Sequence, residues 1–259
     1  MSKKKSILLV TLVVPVFAIL AALVTYFFLI RSDTPAPVSI ENTITQQKQV
    51  ESTTKKDSNT SADNNSKTEI AVPSSQNSVT SENLVGSWII DSESSSYVGY
   101  RVKEELVRVG TFTAVGRTEQ VEGTLQFDGE SINNVSIKAD LRSLKSDNQY
   151  RDRALSRQAI ETSKFPYAEF ELIEKISITE NPEESQIIEV NAKGILKLHG
   201  VSKEVEIPLS GKLESQLLYI VGALPIIFDD FDIAKPSSRS VLSIEDNGIM
   251  EISLVFIKK

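Results

Sequence analysis

Residues 190–209 read VNAKGILKLHGVSKEVEIPL. Val190, Ala192, Gly194, Leu196 and Leu198 alternate with mostly polar neighbours, and Val205, Ile207 and Leu209 do the same after His199-Gly200. A hydrophobic period of two marks half-buried strands, and a Gly-containing pair between them marks a turn. The stretch is therefore two strands joined by a turn. The same rhythm extends in both directions: Val98, Tyr100, Val102; Val121, Leu125, Phe127; Val135, Ile137, Ala139, Leu141; Ala168, Phe170, Leu172; Leu218, Ile220, Leu224; and Ile252, Leu254, Phe256. Asp128-Gly129, Asn133-Asn134, Asn181-Pro182 and Asp246-Asn247-Gly248 supply further turn signals. Eight or so strands at this spacing predict an all-β fold, an antiparallel barrel or sandwich.

One segment breaks the rhythm. Asp147 to Ser163 is rich in Arg, Gln and Ala and ends before Phe165-Pro166. It reads as one or two short helices across a barrel mouth. An eight-stranded barrel is either filled by its side chains or holds one small ligand. Ala139, Ala192 and Gly194 on the inward faces leave room inside, which favours a cavity.

The rest of the chain divides by composition. Residues 84–259 form the globular domain, with 20 Lys and Arg against 28 Asp and Glu, a net charge of −8. An acidic domain without basic clusters is a poor partner for a phosphate backbone, so nucleic acid is not expected. Residues 1–31 form a basic tip and a 25-residue uncharged apolar run from Ser6 to Ile30. That is long enough for a transmembrane helix and far longer than the roughly 7–15 apolar residues of a cleaved signal peptide. Lys3, Lys4 and Lys5 place the N-terminus inside and the domain outside the cytoplasm, on a single-pass membrane anchor. Residues 32–83, dominated by Ser, Thr, Asn and Gln, read as a disordered polar linker. There is no cysteine, which excludes disulfides, thiolate metal sites and Cys nucleophiles.

Few residues invite a catalytic reading. His199 is the only histidine and sits in a turn; no Cys or second His could complete a zinc site of the usual kind. It reads as a structural turn residue. Arg151-Asp152 reads as a pair fixing the helical insert by charge-assisted hydrogen bonds, with a ligand mouth as the alternative. Arg101 and Lys103 read as surface positions on an edge strand, with head-group contact as the alternative. No catalytic residue, cofactor or metal is expected.

Several motifs together carry a resemblance. Trp88-Ile89-Ile90-Asp91 precedes Val98-x-Tyr100-x-Val102; then follow Gly110-x-Phe112 and Gly123-x-Leu125-x-Phe127-Asp128. Arg151-Asp152-x-x-Leu155 leads to Glu161-Thr162-x-Lys164-Phe165-Pro166-x-x-x-Phe170, and Gly194-x-Leu196-x-Leu198-His199-Gly200-Val201-x-Lys203 follows. Phe228-x-Asp230-Phe231-x-Ile233-x-x-Pro236 and Asp246-x-Gly248-x-x-Glu251 close the set. In this order the chain from about Ser87 to Lys258 resembles the YceI-like family. The resemblance implies an eight-stranded lipocalin-like barrel that binds a polyisoprenoid or similar amphiphilic lipid and is not an enzyme. Many members carry a His where this chain has Lys103, so no role of that His carries over. Inward-facing Val98, Tyr100, Leu125, Phe127, Ile137, Ala139, Phe170, Ala192 and Gly194 are the expected ligand-binding residues. The competing reading is a cell-surface structural or adhesion module with a filled barrel.

Overall fold

The computed structural model describes residues 34–57, 84–178 and 186–259. Thirteen strands fill most of it: β1 (Gly86–Ile90), β2 (Tyr97–Leu106), β3 (Gly110–Thr118), β4 (Val121–Phe127), β5 (Ser131–Asp140), β6 (Lys145–Ser146), β7 (Tyr167–Leu172), β8 (Ile176–Ser177), β9 (Ile187–Leu198), β10 (Val201–Glu214), β11 (Leu217–Ile227), β12 (Val241–Ile244) and β13 (Asn247–Lys258). Two α-helices are described, α1 (Ile40–Asp57) and α2 (Gln149–Ala154).

Eight strands close an antiparallel barrel in the order β1-β4-β5-β7-β9-β10-β11-β13, with β13 returning to β1. Two strands share one edge of β13. Its C-terminal end pairs β1 (Trp88 opposite Lys258), and its N-terminal part pairs β2 (Ile252 opposite Val98). From β2 the sheet continues into β3 and β6, leaving the ring and carrying the chain towards the insert. The β4–β5 and β10–β11 turns mark one end of the barrel, here the open end. The insert and the β9–β10 turn mark the other, the closed end.

The His199-Gly200 turn forms as expected, both residues having positive φ (52° and 79°). Asp128-Gly129 also turns the chain, the Asp128 carboxylate accepting from the amides of Glu130 and Ser131. Asn133-Asn134 is not a turn. It lies within β5, where Asn134 at φ 48° makes a bulge and the register shifts against β4. Asn tolerates the left-handed region, so the side chain that suggested a turn instead lets one continuous strand change its inward parity. The Asn181-Pro182 signal lies outside the described residues.

The insert is helical but irregular: a 3-10 turn at Leu141–Ser143, the two-residue β6, α2, and a π-turn at Leu155–Ala159. The Asn148 side chain caps α2 by accepting from the amides of Tyr150 and Arg151.

The expectation of disorder throughout 32–83 is corrected for its first part. Residues 40–57 are α1, packed on the outside of the barrel. Ser39 Oγ accepts from Asn42 N (3.2 Å) at its start, and Glu41 in the first turn suits the helix dipole. Ile40 and Ile44, four residues apart, bury one stripe against Tyr219, Val221 and Val255. Thr43 Oγ1 and Ser253 Oγ share a hydrogen bond of 2.8 Å, and Gln47 accepts from Ser95 N. The Val38 amide donates to Glu251, a fully buried carboxylate on β13 that also pairs with Arg101 at 3.0 Å. The compact unit therefore begins at Ala36. The expected membrane span at 6–30 lies outside the described residues, among which no helix is long and apolar enough to cross a membrane.

Candidate functional site: two apolar cavities in the barrel

The inward faces of β4, β5, β7, β9, β10, β11 and β13 enclose a cavity of about 170 Å³ whose wall is almost entirely apolar. Seven of the nine residues expected to bind ligand lie on that wall: Val98, Leu125, Phe127, Ile137, Ala139, Phe170 and Ala192. Trp88, the only tryptophan, joins them and donates its indole N–H to the Leu84 carbonyl at 3.1 Å. Polar residues are few. Gln186 and Lys212 lie at the open end, where Lys212 pairs with Glu214 at 2.8 Å. A cavity of this size lined by Leu, Ile and Phe stays dry and takes an apolar guest.

A second cavity of about 120 Å³ lies under the insert, at the closed end. Val98, Ala168 and Met250 line both spaces and form their common wall. Tyr100 belongs here and not to the larger cavity. Its ring lies over Gly116, where a Cβ would come within 2.4 Å of it. Its hydroxyl is buried beside the Ser146 hydroxyl, though not in good hydrogen-bond geometry with it. Burial pushes the phenol well above its ordinary value, against the lowering effect of Arg151. Arg151 enters the same space and grips buried Glu104 through two contacts of 3.2 and 3.3 Å. Asp152 accepts from the amide and hydroxyl of Ser146, at 2.9 and 2.6 Å. The pair thus ties the insert to β2 and β6.

Gly194 faces inward but does not line either cavity. Phe170 covers it: a Cβ at 194 would stand 2.4 Å from Phe170 Cζ and 2.5 Å from the Glu171 carbonyl oxygen. The glycine lets β7 and β9 approach and gives no room to a guest. Sequence reasoning also missed Glu104. A carboxylate in register with Val98, Tyr100 and Val102 should have signalled an inward polar group awaiting a cation.

Arg101 points out of the barrel to Glu251, and Lys103 pairs on the surface with Glu245 at 3.6 Å, so neither reaches the interior. His199 is buried at the closed end. Its Nδ1 lies 3.0 Å from the Phe231 carbonyl and its Nε2 3.3 Å from Glu161, while Phe165 packs edge-on against the ring. Both nitrogens link turns together. Among the described residues no group of three or more His, Asp or Glu could hold a metal ion.

The model of the YceI-like domain matches residues 88–256. The chain belongs to the YceI-like family. Its fold resembles that of a polyisoprenoid binding domain from Saccharophagus degradans, implicated in plant cell wall breakdown. There identity is 14%, the match covers 66% of this chain and 98% of that one, and the TM-score is 0.52. Burkholderia cenocepacia BcnA is similar at 17% identity, covering 64% of this chain and 98% of that one, with a TM-score of 0.50. No match was found among curated proteins.

Proposed function

We propose that this protein is an extracytoplasmic, membrane-tethered carrier that holds a polyisoprenoid or similar amphiphilic lipid inside its barrel. The observation that carries the reading is the apolar cavity walled by Val98, Leu125, Phe127, Ile137, Ala139, Phe170 and Ala192. Each CH₂ taken from water contributes about 0.8 kcal/mol, so an enclosed hydrocarbon chain binds tightly without a charged contact. The polyisoprenoid named for the Saccharophagus degradans domain is the ligand class that suits such a wall.

Polarity within the barrel gives the ligand a direction. The tail occupies the larger cavity, and its polar end meets the buried Tyr100 hydroxyl beside Ser146, Arg151 and Glu104. A long tail runs through both cavities by displacing Met250, whose unbranched side chain adapts readily. Among the described residues that line the two cavities, none is arranged as a nucleophile with a base, and the reading is of binding without catalysis. Titrating the lipid-free protein with a long-chain isoprenoid alcohol should shift Trp88 emission saturably, and Tyr100→Phe should weaken an alcohol more than the matching hydrocarbon. Emission unchanged at saturating isoprenoid would refute the proposal.

A further inference from the structure

Only residues 31–35 separate Ile30, the last residue of the apolar run, from Ala36. Ala36 is held at the barrel wall, its carbonyl accepting from Arg117. Six Cα steps at ~3.3–3.6 Å each reach about 20 Å at most. If Ile30 leaves a bilayer, Ala36 is held within about 20 Å of it, close enough for part of the barrel surface to meet lipid.

The course of α1 and the surface at the closed end select which part. Val38 meets Glu251 near the closed end of β13, and Lys48 pairs with Glu214 at the open end. From Lys48 back to Val38 the chain therefore runs towards the closed end, and Ala36 meets Arg117 on the same register row as Glu251. There β2 runs five residues beyond its last pair with β13, out to Leu106, and turns into β3 through Val107, Arg108 and Val109. Val109 is 67% exposed, as is Leu242 on the neighbouring β12, and the Val107 amide donates to the Ser240 carbonyl. Arg108 and Arg239 are exposed beside them, with no ion pair among the described residues. Of the carboxylates at this end, Asp230, Glu245 and Asp246 are paired with lysines, Glu104 and Asp147 with Arg151, and Glu161 with Lys164, while Asp229 and Asp232 are exposed in another turn; Glu105, two residues before Val107, accepts from the Thr111 hydroxyl. Arg108 and Arg239 against Glu105 leave the tip with a net positive charge.

We propose that the β2–β3 tip and β12 form a membrane-docking surface, in which Val107, Val109 and Leu242 enter the interfacial layer and Arg108 and Arg239 meet lipid phosphates. Apolar side chains flanked by arginines suit the boundary between acyl chains and anionic head groups. The proposal rests on reading residues 6–30 as an anchor, and it turns the closed end, with Tyr100 and Arg151 beneath it, towards the lipid source.

The chain has no cysteine, so a single introduced one can carry an environment-sensitive fluorophore. Val109→Cys, Leu242→Cys and, at the open end, Ile173→Cys would each be labelled in the full chain. Each would then be reconstituted into vesicles of phosphatidylglycerol and phosphatidylethanolamine. Emission at 109 and 242 should shift to the blue and lose quenching by iodide, while 173 stays aqueous. Labels at 109 and 242 that stay fully aqueous, or a shift at 173 alone, overturn the docking surface. Sedimentation separates the two ideas. If the chain stays with the vesicles and the tip labels remain aqueous, docking alone fails; if it leaves the vesicles, the anchor fails and docking with it.

Discussion

Ala192 and Gly194 are both small, both face inward on β9, and stand two residues apart, yet leucine should behave oppositely at the two positions. Ala192 borders the larger cavity. Ala192→Leu adds three carbons to an apolar space of about 170 Å³, larger than the engineered cavity that takes benzene. At about 0.8 kcal/mol per buried carbon the ceiling on stabilisation is roughly 2 kcal/mol, less whatever rotamer strain the leucine incurs. Gly194→Leu meets Phe170 Cζ at 2.4 Å and the Glu171 carbonyl at 2.5 Å from its first carbon. A backbone oxygen cannot step aside as a side-chain end can, so the loss should lie at or above the usual ~1–3 kcal/mol of overpacking. Urea unfolding followed by Trp88 fluorescence measures both on lipid-free protein. Ala192→Leu should hold or gain stability and carry less lipid; Gly194→Leu should unfold more readily. Were Ala192→Leu to lose 2 kcal/mol or more and keep its lipid, the space beside Ala192 would not be where a guest lies.

Asp152→Ala strips the Ser146 amide and hydroxyl of their acceptor; a thermal melt should register a loss of about 1–3 kcal/mol. Lipid content at low temperature should be little changed, and normal stability with lost lipid would make the pair a ligand contact. Hydrogen bonds from Lys212 and Lys48 hold the Glu214 carboxyl below its ordinary value. A depressed folded-state value gives stability that is present above the unfolded-chain value and lost as pH falls through the folded one. Hydrogen exchange should therefore find the middle of α1, around Lys48, less protected below about pH 4 than near pH 7, and Lys48→Ala should remove that difference. Protease added outside intact cells should cut within 58–83, yet α1 should retain the barrel until mild denaturant is added. Immediate release on cutting there would mean that α1 does not hold the wall.

The barrel was legible because its strands bury one face and expose the other. The β9–β10 turn could be placed to the residue from alternation and His199-Gly200, although the strands run further than the alternation did, from Ile187 to Leu198 and from Val201 to Glu214. The β10–β11 turn could not: Ser215 and Gln216 both take positive φ (54° and 66°) without Gly or Asn to announce it. α1 was illegible because its own residues are polar and only Ile40 and Ile44 are apolar at helical spacing. The signal lay in its partner instead. Leu217-Leu218-Tyr219-Ile220-Val221 on β11 is apolar on both faces, which a strand with one face in water would not be. The cavity wall was readable from parity. Gly194 was not, because an absent side chain looks the same in sequence whether a ligand or Phe170 fills the space.

The central claim is that apolar material occupies this barrel. Mass spectrometry of an organic extract from the purified protein tests it most directly, with Ala192→Leu prepared in parallel. The account predicts an isoprenoid-type or similarly long amphiphilic lipid approaching one per chain in the parent and markedly less in Ala192→Leu. An extract containing no lipid above that of an unrelated membrane-anchored protein, from a parent whose cavity accepts no isoprenoid on titration, would contradict it.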